Sequence, residues 1–149
     1  MKKTLIVGTV AFDEIETPKE SSGKILGGAA TYIGLSSAIF DSKASMISVV
    51  GGDFDQKHLD LLNSKGLDTS SIEIITKGKT FYWKGKYHKD WNKRDTLNTL
   101  LNVLADLNPK LNKHNSSAEI IVLGNLHPVV QSTVSVSYTH LTLPTKRIV

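Results

Sequence analysis

The sequence predicts an α/β fold built on a mainly parallel sheet, on the strength of three features. Short apolar runs at residues 5–10, 44–50 and 120–123 have the composition of strands buried on both faces. Between them lie stretches with helical spacing or helix caps, and strands alternating with helices argue for an open sheet covered on both sides. The third feature is chemical. Asp13, Gly27-Gly28, Gly52-Asp53 and Asn125 all follow strand-like segments, and in open α/β sheets ligands sit beyond the carboxyl ends of the strands.

The first run, 5–10, ends in small residues and leads into Phe12-Asp13-Glu14-Ile15-Glu16, which alternates apolar and acidic as a half-exposed strand does. Residues 18–23 hold a proline, two serines and a glycine and are expected to turn the chain. From 29 to 40, Ile33, Leu35, Ala38 and Ile39 with small residues between them predict a helix packed closely on the sheet. The buried strand 44–50 follows. Asp53 stands three positions before Gln56 in a capping pattern, and Leu59, Leu61 and Leu62 lead to Gly66, where a left-handed residue would stop the helix.

Residues 77–94 break this rhythm. They carry seven Lys or Arg against the single acid Asp90, and Phe81, Tyr82, Trp83, Tyr87 and Trp91 are five of the ten aromatic residues in the chain. The alternation over 80–88, centred on Gly85, predicts a β-hairpin hung on the core as a small lid, with Thr80, Tyr82 and Trp83 as its candidate ligand-facing residues. A solvated hairpin with its aromatics turned inward is the structural alternative, and stacking of single-stranded nucleic acid is another. Beyond it, Asp95 or Thr96 is placed to cap a helix whose Leu97, Leu100, Leu101, Leu104 and Leu107 fall at helical spacing before Pro109. The strand 120–123 is closed by Gly124-Asn125.

Composition narrows the function classes. The absence of cysteine removes disulfide frameworks and thiolate metal sites, and the five histidines show no His-x-x-x-His spacing, so no metal ligands are expected. No apolar run approaches the length of a membrane span, and Met1-Lys2-Lys3 leads into a short strand-like run instead of a signal peptide's longer one. A cytoplasmic protein with no membrane partner is the expectation. Residues 136–149 shift abruptly to Thr, Ser and Leu, and 136–145 resemble a translated sequencing-library adapter; they are expected to be a non-native tail after a domain spanning 1–135. Removing Lys146 and Arg147, with no acids, lowers the formal charge of +4 by two.

The candidate site is a polyol grip. Glycines let backbone amides approach a ligand, a helix amino terminus adds donors and a positive dipole end, and Asp13 supplies an acceptor for hydroxyls. Asp53 has a second role open to it as a helix N-cap, and Asn125 a second one as a strand terminator.

Several ordered motifs resemble one family: 8–13 (Gly-Thr-Val-Ala-Phe-Asp), 27–32 (Gly-Gly-Ala-Ala-Thr-Tyr), 49–54 (Val-Val-Gly-Gly-Asp-Phe) and 65–69 (Lys-Gly-Leu-Asp-Thr). They look like the amino-terminal half of a PfkB-family carbohydrate kinase, the ribokinase-like group of sugar and nucleoside kinases. The resemblance runs to about His127-Pro128. It implies a three-layer ribokinase-like fold with a small β lid, and transfer of the ATP γ-phosphoryl group to a sugar or nucleoside hydroxyl with Mg²⁺. It also implies that Asp13 holds substrate hydroxyls, that Gly27 and Gly28 line the sugar site and that Asp53 lies near it. Two departures stand out: Tyr32 occupies a position where the family often has asparagine, and the Asp-Thr-x-Gly-Ala-Gly-Asp signature, which carries the catalytic base and anion hole, is absent. The chain is therefore expected to be truncated on its carboxyl-terminal side, with no catalytic residue of its own, inactive alone, and able to form a homodimer through the lid. No nucleic-acid partner is expected on this reading; a non-catalytic small-molecule-binding domain and a single-stranded nucleic-acid binder are the alternatives.

Overall fold

The computed structural model describes residues 3–40, 43–112 and 114–142. In chain order the elements are β1 (Lys3–Val7), β2 (Ala11–Glu16), β3 (Ser21–Gly27), α1 (Ala29–Ile39), β4 (Lys43–Gly51), α2 (Gln56–Ser64) and β5 (Leu67–Ile75). There follow β6 (Tyr82–Tyr87), β7 (Arg94–Leu100), 3-10 turns at Asn102–Asp106 and Asn115–Ser117, β8 (Ile120–Leu123) and α3 (Pro128–Thr142).

Four strands form an all-parallel sheet in the order β5-β4-β1-β8. Because successive side chains on a strand face opposite ways, this sheet feeds two apolar clusters. Ile6, Met46 and Val50 pack with Ala30 of α1 and Leu59 and Leu62 of α2. On the other face Leu5, Val7, Ile47 and Val49 pack with Val103 and Leu107 from the 3-10 turn region and with Val134 of α3. Helical layers thus cover both faces, giving the expected three-layer α/β fold. Gly66 ends α2 with φ +84°, in the left-handed conformation anticipated for a stop.

The other four strands form a mixed sheet in the order β3-β2-β6-β7. Here β2 pairs with β3 antiparallel and with β6 in parallel, and β6 pairs with β7 antiparallel. This second sheet is the small β lid, and it is larger than the sequence suggested.

Several local expectations are corrected. β1 ends at Val7, earlier than the run 5–10 suggested. The turn expected over 18–23 is tighter: Thr17 and Glu20 close it through Thr17 N–H to the Glu20 carbonyl (2.8 Å), and β3 starts at Ser21. α2 starts at Gln56 with Asp55, not Asp53, at the N-cap position. The hairpin expected over 80–88 is a single strand, because the reversal comes at 88–93, where His88 N–H bonds the Lys93 carbonyl (3.1 Å). Gly85 lies inside β6, where a Cβ would run into the Trp83 ring.

The leucine-spaced segment expected as a helix from 95 to 107 is split into β7 and a 3-10 turn. Pairing with β6 takes up the backbone groups of 94–100 that face it, and β-branched Thr96 and Thr99 suit a strand. Leu97, Leu100 and Leu101 stay exposed, so their helical spacing finds no face to bury, whereas Val103 and Leu107 reach the core. α3 begins with Pro128, at a position where its missing N–H costs nothing, and the His127 ring accepts from Val129 N–H (3.3 Å). The compositional break at Val136 has no counterpart in the backbone. α3 continues through it to Thr142, and the Tyr138 hydroxyl donates to the Ala118 carbonyl at 2.6 Å. The rest of the expected tail, 143–149, lies outside the described residues. Among the described residues no helix is long and apolar enough to cross a membrane.

Candidate functional site

A cleft of about 530 Å³ opens where the two sheets meet, lined by Thr9, Asp13, Gly28, Trp83, Arg94 and Asn125 among others. Its polar end is built at the carboxyl side of β1. Gly28 precedes α1 with φ +93°, and a Cβ there would collide with the Thr9 carbonyl, so only glycine lets the chain enter the helix this close to β1. The neighbouring Gly27 plays a related part: a Cβ would occupy the space that the Asp13 carboxylate fills. Asp13 in turn accepts from Gly28 N–H. Burial pushes its carboxyl above the ordinary aspartate value, against the smaller downward pull of that bond.

Thr9 links this corner to the end of β8. Its hydroxyl accepts from Ala29 N–H and donates to Asn125 Oδ1, each at 2.9 Å. With its oxygen taken by the Thr9 hydroxyl, Asn125 has its amide nitrogen left to serve as a donor. The cleft floor thus offers an acceptor at Asp13 and a donor at Asn125. That pairing suits a ligand with vicinal hydroxyls.

The wall beside Asp13 is aromatic. Asp13 and Trp83 are register partners across the parallel β2–β6 pair, so they share a face of the lid sheet. The Trp83 ring stands over Gly85, its indole N–H reaches Thr96 Oγ1 at 3.4 Å, and the Arg94 guanidinium sits 5.1 Å from its centroid. Phe81, Tyr87 and Tyr32 complete the wall. A flat polarisable surface beside a polar acceptor and donor can hold a planar ring and a polyol at once.

The candidates named from sequence separate into two groups. Asp13, Gly28, Asn125 and Trp83 line the cleft, and Gly27 shapes it from behind. Tyr82 turns to the other face of the lid sheet, where its hydroxyl donates to Glu14 at 2.7 Å and Lys24 lies 5.2 Å from its ring. On that face Lys84 bridges Glu14 (3.0 Å) and Glu16 (2.7 Å), and the Tyr82 hydroxyl and Lys84 together hold the Glu14 carboxyl below its usual range. Asp53 and buried Thr80 bond each other at the root of the lid, outside the cleft lining. Sequence reading did not single out Thr9, Ile15 or Arg94 as site residues. Ile15 and Arg94 are recruited through the β2–β6 and β6–β7 pairings, and no local pattern announces a parallel pairing across seventy residues; Thr9 enters through its bonds to Ala29 and Asn125.

Among the described residues no three His, Asp or Glu side chains gather where they would hold a metal ion.

Comparison with known structures decides the fold. The model superposes on the nucleoside kinase of Methanocaldococcus jannaschii, an archaeal member of the ribokinase family, with a TM-score of 0.75 at 21% identity, covering 92% of this chain and 49% of that one. The fold is ribokinase-like. The same ribokinase-like arrangement recurs in the ribokinase of Cryptococcus neoformans solved with ADP (TM-score 0.68, 17% identity, 93% of this chain and 45% of that one). It recurs again in the Burkholderia thailandensis nucleoside kinase solved with inosine (0.62, 21%, 69% and 37%). No family model matches the chain. In sequence it is similar to the cytidine kinase of Thermococcus kodakarensis, 31% identical over 90 residues, covering 60% of this chain and 32% of that protein. It is also similar to the nucleoside kinase of Methanothermobacter thermautotrophicus, 30% identical over 115 residues, covering 58% and 37%. The resemblance to PfkB and ribokinase-like kinases drawn from the motifs thus holds in both sequence and fold. The chain spans about a third of the length of the curated relatives it matches.

Proposed function

We propose that this chain carries the acceptor-binding part of an ATP-dependent kinase that phosphorylates a nucleoside hydroxyl. The observation behind this reading is the pairing of Asp13, cradled by Gly27 and Gly28, with the Trp83 wall one strand away. Asp13 and Asn125 would take the ribose hydroxyls, and the base would lie against Trp83 and Phe81. A free sugar would use only the first half of that surface, which is why a nucleoside is preferred over a carbohydrate; the names of the two curated relatives point the same way.

ATP and Mg²⁺ would supply the phosphoryl group and the charge neutralisation for its transfer. The groups that hold them would lie beyond this chain, because the Gly-Ala-Gly-Asp signature is absent from it. The described residues would bind and orient the acceptor and exclude water from it, and the 149-residue chain alone is expected to turn over no ATP. Residues 136–149 we read as a non-native extension, on their composition.

Calorimetry on the chain with cytidine, inosine, ribose and a single-stranded oligonucleotide tests this reading. Ribonucleosides should bind more tightly than ribose. Asp13→Asn should weaken nucleoside binding by about 1.5–3 kcal/mol, the range for hydrogen bonds to a charged group. Equal affinity for ribose and nucleoside would return the site to a sugar. Tight, salt-sensitive binding of the oligonucleotide alone would transfer the basic lid to nucleic acid.

A further inference from the structure

The second glycine-aspartate step, Gly51-Gly52-Asp53, lies outside the cleft, and the bonds it makes define a different task. Residues 76–80 run past it on their way from the core into β6. A Cβ on Gly51 would meet the backbone of Gly78 and Lys79, and a Cβ on Gly52 would meet the Thr76 carbonyl, so both glycines exist to let that segment pass. Gly52 N–H bonds the Gly78 carbonyl at 3.0 Å.

Asp53 then fastens what the glycines admit. A single carboxylate oxygen, Oδ1, accepts from both Thr80 N–H and Thr80 Oγ1–H at 2.7 Å, and the Thr80 hydroxyl oxygen accepts from Gly51 N–H at 3.0 Å. Thr80 is 1% exposed. Its carbonyl accepts from Asn102 Nδ2 at 2.9 Å, and Val103 N–H bonds the Lys79 carbonyl at 3.2 Å. Residues 79–80 and 102–103 are the two places where the β6–β7 ribbon leaves and rejoins the core. Asn102 has φ +49°, a backbone state that asparagine tolerates better than most residues, and adopts it at that junction. One step past Thr80, Phe81 lines the cleft and its carbonyl takes Phe12 N–H at 2.9 Å, with Trp83 two residues further on.

We propose that Asp53 is a positioning residue that clamps both roots of the β6–β7 ribbon through Thr80 and so holds Phe81 and Trp83 against the cleft, without touching the ligand. The carboxylate is suited to this because its charge strengthens two short hydrogen bonds at once, where a neutral amide would offer a weaker acceptor. The ligand half of this statement rests on the nucleoside reading above; the clamp itself does not.

The test uses an accident of composition: the two tryptophans, Trp83 and Trp91, are the only ones in the chain and both lie in the ribbon segment, so intrinsic tryptophan emission reports on it alone. The 149-residue chain is compared as wild type, Asp53→Ala, Thr80→Val and Thr80→Ser by emission, amide exchange and cytidine titration. In Asp53→Ala, exchange over 82–100 should quicken by about tenfold or more while β1 and β4 keep their protection, emission should shift to the red, and cytidine affinity should fall. Thr80→Ser keeps both donors and should behave as wild type. If Asp53→Ala does not fold, Thr80→Val, which removes one donor, supplies the same comparison with a smaller change.

Unchanged ribbon exchange, or an equal loss of protection in β1 and β4, overturns the clamp. Lost cytidine affinity with ribbon exchange intact also overturns it, since Asp53 would then be a ligand. A wild-type chain that binds no cytidine refutes the nucleoside reading, and the exchange and emission measurements still decide the clamp.

Discussion

The parallel sheet and the lid sheet of this chain are built on opposite principles. In β1 four of five residues are buried and in β4 seven of nine, whereas β7 buries none of its seven. The first sheet is held by apolar side chains packed between helices; the second is held at its edge by backbone pairing and by contacts such as Trp83 with Arg94 and Lys84 with Glu14 and Glu16. Surface ion pairs contribute little to stability. The parallel sheet therefore rests on burial and the lid sheet, at β7, on pairing.

The largest effect that sharpens this contrast is expected at Ile6, fully buried at the centre of β1. Ile6→Ala removes three methyl or methylene groups and leaves a cavity between β4 and α1, at a cost of about 2–5 kcal/mol. Urea unfolding monitored by far-ultraviolet dichroism measures it. A loss under about 1 kcal/mol would mean that β1 is not the packed centre described here.

The same contrast explains what was legible in the sequence. β4 and α1 were recognised because burial on both faces imposes an apolar run and close packing imposes small residues; β8, an edge strand with no residue fully buried, was recognised by its apolar run alone, and the limits of all three fall within a residue or two of expectation. That Asp13, Gly28 and Asn125 would come together in one cleft was legible because each follows a strand-like segment of an open α/β sheet. In the lid sheet no face is buried deeply enough to impose a period. The leucines at 97, 100 and 101 keep helical spacing by composition alone, and a strand paired to β6 wins. Tyr82 and Trp83 are equally aromatic in sequence, and only the pairing with β2 decides that Trp83 faces the cleft. Asp53 was placed with the ligand residues because Gly-Gly-Asp suggests backbone close to a guest; in the fold the glycines let the segment 76–79 pass and Asp53 bonds Thr80.

A second prediction sits at the junction of the two regions. Burial raises the Asp13 carboxyl above its ordinary value, so the folded chain holds that proton more tightly than the unfolded one. Its stabilising contribution is fully present below the unfolded value, near 3.8, and is lost as pH rises through the raised folded value. At neutral pH the ionised, partly buried carboxylate is a cost to the free protein, and on the proposed function it is the group that would meet hydroxyls. Asp13→Asn should therefore gain stability relative to wild type as pH climbs from 4 to 7, while losing nucleoside affinity. Thermal unfolding across that range checks it; a variant that loses stability on the same climb would mean that the bond from Gly28 outweighs burial.

The smallest expected effect separates the two readings of 94–100 most cleanly. Leu97 is 48% exposed and lies mid-strand on the lid edge. Threonine in its place introduces a β-branched, strand-favouring residue and gives up little buried area, so Leu97→Thr should change stability by no more than about 0.5 kcal/mol. Were 95–107 a helix with Leu97 on its packed face, the same change would remove a buried leucine and insert a poorer helix former. The cost would then exceed about 2 kcal/mol, with a loss of helical dichroism. Because the lid is expected to answer to pairing and the core to burial, a large loss at Leu97 would overturn the strand, the edge position of β7 and the contrast between the two sheets together.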